Sequence, residues 1–148
     1  MPKLDLDAIP QTNATGYPPA YADRVAGRWY RRLGPPGGLA EYGVSQVTLK
    51  PGAWSSQRHW HDGEDEFVVM IAGEAVLVDD DGEHTMRPGD CAAFPKGDGN
   101  AHVLQNRGDA DCVFVAVGRP SATDCHYPDI DMHLFAGVGF RRKDGGAF

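Results

Sequence analysis

Two histidines separated by a single residue, His59-Trp60-His61, are the first chemically pointed feature of the chain. In a β-strand, side chains two apart leave the same face, so these imidazoles could converge on one ion while Trp60 points away. Glu66 stands five positions after His61 and opens an apolar run that ends at Gly73; a third histidine, His102, opens a later strand. Three imidazoles and one carboxylate make a mixed nitrogen and oxygen site suited to divalent Fe, Mn, Co, Ni, Cu or Zn. On its own, such a pair is equally a surface feature, and a single buried histidine is more often a hydrogen-bonded core group than a ligand.

The elements that must position these groups are short. Apolar runs broken by turn residues predict strands over 43–50, 55–61, 66–72, 74–79, 83–87, 90–94, 101–106 and 111–118. Pro51-Gly52, Asp80-Asp81-Gly82 and Pro88-Gly89 supply turns, and a Gly-rich loop covers 96–100. Seven or eight strands at this spacing indicate an all-β antiparallel sandwich or barrel, and no helix-length periodic stretch separates them. Nineteen glycines and eleven prolines in 148 residues fit short strands better than long helices. Residues 1–40 carry six of those prolines and no sustained periodicity, so they read as an extended N-terminal arm with one short helical turn near 21–28. Tyr17, Tyr21, Trp29 and Tyr30 predict that the arm packs on the barrel or on a partner subunit. The expected division is therefore 1–40 arm, 41–120 barrel core, and 121–148 a polar loop and tail of the same domain.

A 16.0 kDa chain of this length is one domain. Its net charge of −7 and pI near 5.2 disfavour a nucleic-acid partner, because only Arg31-Arg32 and Arg141-Arg142-Lys143 cluster basic charge. No run of eighteen apolar residues predicts a membrane span, and the first ten residues lack the basic-then-apolar pattern of a leader, which predicts a cytoplasmic protein. Cys91, Cys112 and Cys125 have neither the number nor the spacing for a disulfide framework or a structural zinc site. Cys91 and Cys112 fall in apolar strands and read as small core residues.

Two spaced patterns enclose the candidate ligands. One is Gly52-(six residues)-His59-x-His61-(four)-Glu66-(six)-Gly73; the other is Gly89-(five)-Pro95-x-Gly97-(four)-His102-(three)-Asn106. They resemble the two motifs of the cupin family. The first has one residue more than usual after its opening glycine, and the second has two more between Gly97 and His102; both extras fall in loops. Tyr17-Pro18, Arg31-Arg32-Leu33-Gly34, Arg58-His59-Trp60-His61, Arg87-Pro88-Gly89-Asp90 and Tyr127-Pro128-Asp129-Ile130-Asp131 extend the resemblance to a bacterial subgroup of short single-domain cupins. Members of that subgroup are often labelled sugar-phosphate isomerases, and most have no established reaction. The resemblance implies a double-stranded β-helix, the jelly-roll barrel. It also implies a divalent transition metal held by His59, His61, Glu66 and His102.

A metal held by four protein groups keeps two adjacent positions for a small polar metabolite. Lewis-acid activation of vicinal oxygens would serve an aldose–ketose isomerase. With Fe(II) the same positions would serve a dioxygenase, and a binding module that holds its ligand without turning it over uses the same ligands. Glu64, Asp62, Asp98, Tyr42 and His126 are candidate proton carriers by location, although Glu64 and Asp62 read first as a solvated acidic turn. Lys96, Arg107 and Arg58 are the bases nearest the motifs, with Arg58 expected to face away from the metal. The polar stretch 124–133 could hold a second metal but reads as a loop over the barrel. Trp54, Phe67, Phe94 and Phe114 are expected in the core or a subunit contact, and the aromatic arm predicts a homodimer.

Overall fold

The computed structural model describes residues 3–119 and 122–148. The expected boundary at 120/121 lies outside the described residues. After a short helix, α1 (Pro19–Ala22), and a 3₁₀ turn at Asp23–Val25, the described chain runs through twelve strands. These are β1 (Arg28–Arg32), β2 (Gly43–Leu49), β3 (Trp60–His61), β4 (Glu66–Ala72), β5 (Ala75–Asp79) and β6 (Gly82–Met86), followed by β7 (Cys91–Phe94), β8 (Val103–Gln105), β9 (Cys112–Gly118), β10 (Cys125–Tyr127), β11 (Met132–Phe135) and β12 (Gly139–Arg141).

Every strand pair is antiparallel. One sheet has the order β1-β2-β9-β4-β7; facing it are β12-β11-β10-β3 and β6-β5-β8. Isolated bridges at His59↔His102 and Trp54↔Gln105 stitch the two smaller sheets toward each other. The result is a jelly-roll barrel. Its main core is filled by Val47, Leu49, Val68, Met70, Leu77, Met86, Leu104 and Phe114, inward residues of both layers. Burying one such side chain stabilises the fold by roughly 1.5–3 kcal/mol. Gly73, at φ +68°, bends the chain between β4 and β5, and a Cβ there would come within 2.5 Å of the Asp111 carbonyl oxygen.

Three expectations are corrected. The strand expected over 55–61 survives only as β3, because the preceding residues hydrogen-bond elsewhere: Gln57 N–H donates to the Tyr17 hydroxyl and Gln57 Nε2 to the Tyr21 carbonyl. The arm is not patternless, since β1 joins the sheet edge beside β2; three arginines in five residues hide its alternation. The stretch 124–133 is not a loop but β10, a turn and β11. There the buried Cys125, Tyr127 and Met132 point inward while His126 and His133 pair across the outer face. Tyr17, from the arm, packs edge-on against Tyr127 and Phe140 at centroid distances of 5.9 and 5.3 Å, closing this smaller cluster.

Single residues differ as well. Cys112 and Phe114 are buried, but Cys91 is exposed, because β7 turns it to the outer face of its sheet. Phe67 is likewise on the outer face of β4, 41% exposed.

Candidate metal centre

His59 and His102 face each other across a two-residue bridge, in which His59 N–H donates to the His102 carbonyl at 3.1 Å and His102 N–H to the His59 carbonyl at 2.8 Å. This backbone pair brings together residues from two distant loops before any side chain is considered. His61, two positions on, shares the face of His59, and β4 begins with Glu66 pointing into the barrel. The Oε2 atom of Glu66 lies 3.0 Å from Nε2 of His102, 3.4 Å from Nε2 of His61 and 3.5 Å from Nε2 of His59. The four residues singled out from the sequence therefore converge around one carboxylate oxygen.

The surroundings fix the rings. His59 Nδ1 is 2.9 Å from the Gln57 carbonyl and 3.1 Å from Ser56 Oγ. A proton on Nδ1 given to that carbonyl leaves the Nε2 lone pair aimed at the centre, the usual support for a ligating histidine. Phe94 stacks flat on His102 with centroids 3.5 Å apart, and His102 Nδ1 is buried without a hydrogen-bond partner. Burial would raise the Glu66 pKa, but hydrogen bonds from three imidazoles hold it far below the carboxylate range. Burial pushes His102 down, toward the neutral form that can ligate. At His61 burial also opposes charge, but Cys125 and Glu66 outweigh it and lift the imidazole to about 10. Three imidazoles for one carboxylate is a donor set that fits a divalent cation.

Beside the centre lies a cavity of about 600 Å³. His59, His61, Glu64, Glu66 and His102 line one side, and Arg28, Tyr30 and Arg32 of β1 line another. Burial raises Glu64 to about 7, and its Oε2 is 3.6 Å from His61 Nδ1. Gly118 makes room for it: a Cβ there would stand 2.7 Å from Glu64 Oε1. The Arg28 guanidinium donates to the carbonyls of Ser55 and Ala14, and its Nε is buried without a partner. Arg28 and Arg32 both lie over the Tyr30 ring, 5.4 and 5.9 Å from its centroid.

The other candidates lie outside this cavity, although Asp98 borders a smaller pocket with His61, Glu64, Glu66 and His102. Asp62 pairs with His126 on the outer face at 2.9 Å. Asp98 accepts from the Asn100 N–H of its own turn, and Tyr42 is exposed. Arg58 faces away from the cavity and pairs with Asp129 and Asp80. Arg107 is engaged by both oxygens of Glu83, at 2.8 and 2.7 Å. Lys96 is not among the residues lining the cavity. The bases that do line it, Arg28 and Arg32, went unread in the arm, although Arg28-x-Tyr30-x-Arg32 alternates as a strand should. Cys125 was missed for a similar reason. It stands opposite His61 on β10, in a stretch read as a loop.

A small jelly roll with three histidines and a glutamate turned into its cavity defines a class of barrels equipped to hold a metal ion. Residues 45–118 match the Cupin domain family, Cupin_2. The chain belongs to the cupin family. It is similar to a solved structure called a sugar phosphate isomerase of the cupin superfamily, from Silicibacter pomeroyi: 48% identity over 99% of this chain and 96% of that one, TM-score 0.92. A second, from Acidithiobacillus ferrooxidans, bears the same activity as a provisional name and is 26% identical over 77% of this chain and 74% of that one, TM-score 0.71. A polyketide cyclase from Streptomyces resistomycificus, 18% identical over 82% of each chain with TM-score 0.66, shares the fold alone. No curated protein matches the chain. No helix among the described residues is long and apolar enough to cross a membrane.

Proposed function

We propose that this chain is a metal-dependent isomerase that interconverts the aldose and ketose forms of a small sugar phosphate. The observation that carries the reading is the convergence of His59, His61 and His102 on Glu66 at the edge of a cavity bearing two arginines without carboxylate partners. A divalent ion held by those four residues would supply Lewis acidity toward two vicinal substrate oxygens. Glu64 is placed to take a proton from the hydroxyl-bearing carbon and return it to the neighbouring carbonyl carbon, while the hydroxyl proton passes to the former carbonyl oxygen, so atoms balance without a further reactant. Arg28 and Arg32 hold the phosphate: Arg28 is braced by carbonyls and Arg32 stands at the mouth, and neither has an acid within ion-pair distance among the described residues. Tyr30, between them, keeps both guanidiniums on the cavity side.

The name borne by the Silicibacter pomeroyi protein agrees with this reading. The test is to incubate metal-loaded protein with a panel of aldose and ketose phosphates in deuterated water, with and without oxygen. Interconversion with deuterium at the exchanging carbon, independent of oxygen, is the expected result. Turnover that consumes oxygen would replace the isomerase with an oxygenase, and binding without exchange would leave a ligand-holding module.

We propose also that two copies associate. Phe67 and Ile71 stand 41% and 50% exposed on the outer face of β4, where a second copy would cover them. Light scattering that reports a 16 kDa particle at micromolar concentration would overturn this.

A further inference from the structure

We infer that Cys125 is an additional metal-ligating group of the same centre, which makes His59 and His61 the shared half of two overlapping donor sets. The harder set is completed by Glu66 and His102, and the softer one by the Cys125 thiolate, which would recruit thiophilic divalent ions such as cobalt, zinc and cadmium. This inference rests on the reading of the centre as a metal site.

The geometry comes from the sheet. β10 lies antiparallel to β3 with Cys125 directly opposite His61, so the two side chains leave the same face. Sγ of Cys125 and one ring nitrogen each of His59 and His61 lie within 4.8 Å of one another, as do single ligand atoms of His59, Glu66 and His102. A shift of a few tenths of an ångström to about an ångström by each group would bring all three to a common ion at Zn–S of about 2.3 Å and Zn–N of about 2.0–2.1 Å. Cys125 is fully buried, between the imidazoles on one side and the Tyr127–Met132 cluster on the other.

Donor chemistry separates the two sets. Imidazole with carboxylate suits manganese and ferrous iron, whereas adding a thiolate favours softer ions. Binding through Cys125 releases the thiol proton to solvent and leaves a thiolate on the ion. The remaining cysteines do not compete: Cys91 is exposed on the outer sheet face and Cys112 is buried in the main core. Arg28 and Arg32, on β1, belong to neither set, so the substrate wall is untouched by the choice of ion.

The experiment is spectroscopic. Full-length protein freed of metal is titrated with cobalt(II) without oxygen, alongside Cys125→Ser, Cys125→Ala and, as a control, Cys91→Ser. The expected result is a near-ultraviolet thiolate-to-cobalt charge-transfer band in the parent and in Cys91→Ser. Both Cys125 variants should lose it while keeping cobalt and its visible ligand-field bands. Cadmium affinity should fall in those variants by at least the roughly 10- to 100-fold that loss of a supporting partner costs a metal site, with manganese affinity unchanged. Cobalt bound by the parent without the band, or a band that survives in both Cys125 variants, overturns the role of Cys125 and leaves the four-residue centre standing. A parent protein that takes up no cobalt overturns the centre itself.

Discussion

The sheet formed by β12, β11, β10 and β3 carries histidines on both faces, and the faces behave differently. On the inner face, His61 joins His59 and His102 around one oxygen of Glu66, three imidazoles for a single carboxylate. On the outer face each histidine has its own acid: His126 meets Asp62 at 2.9 Å and His133 meets Asp124 at 2.8 Å. The outer pair is further occupied by stacking, His126 on Trp60 at 3.9 Å and His133 against Phe135 at 4.3 Å. A histidine count alone would rank these clusters together. Stoichiometry separates them, because the outer groups satisfy one another and the inner ones leave donors over for a cation.

The largest effect that could break this contrast is on metal content. His59→Ala, which removes a ligand common to both donor sets, is expected to abolish metal uptake with the barrel still folded and His102→Ala to lower it sharply, while His126→Ala and His133→Ala retain the full metal complement. Elemental analysis of protein purified without a metal-binding tag, with circular dichroism beside it, decides this; equal losses on both faces would erase the distinction.

Glu64 provides the next test, because it borders the inner cluster without belonging to it. Glu64→Gln should slow the proposed isomerisation by roughly 100- to 10,000-fold, the usual weight of a positioned acid or base, with metal stoichiometry unchanged. Loss of metal in that variant would make Glu64 a supporting residue of the centre.

Acidity then sharpens the comparison. His61 holds its proton up to about 10, so at neutral pH an arriving cation must displace it. Apparent affinity for manganese, which leaves the Cys125 thiol untouched, should therefore rise about tenfold for each pH unit between 6 and 9 for one displaced proton. Calorimetric titrations in buffers of different ionisation enthalpy measure that release, and a flat profile would contradict it.

The smallest effect is expected where charges are already paired outside the cavity. Arg58 holds Asp129 with both partners at 2.7 Å, and that hydrogen-bonded pair keeps the Asp129 carboxyl below its ordinary pKa. The contribution is present above the unfolded carboxylate pKa and is lost as pH falls through the lower folded value. Both residues reach solvent, so Asp129→Asn should cost no more than about 1 kcal/mol at pH 7 and less at acid pH, below the unfolded carboxylate pKa. Urea unfolding under the two conditions checks it.

Much of the site was legible because the shared face of His59 and His61 follows from strand alternation, and the resemblance to the cupin motifs implied that Glu66 and His102 join them. β4 begins and ends where its apolar run predicts. The arm strand β1 and the hairpin of β10 and β11 were harder. Their alternation is carried by arginines and histidines, whose polarity imitates a loop until one face is seen to be buried. Phe67 and Cys91 were misplaced for the converse reason: an apolar run that suits a core strand on both faces does not reveal that one of them lies open.

Composition and local spacing determined the antiparallel all-β class, the acidic charge and the shared face of His59 and His61, while the barrel and the joining of Glu66 and His102 to that pair were implied by the resemblance to the two cupin motifs. Tertiary structure alone decided which charges share a cavity with them. Glu64, Arg28, Arg32 and Cys125 reach the centre through strand register and chain return. Those depend on pairings between residues tens of positions apart, a property that periodicity within one segment does not contain.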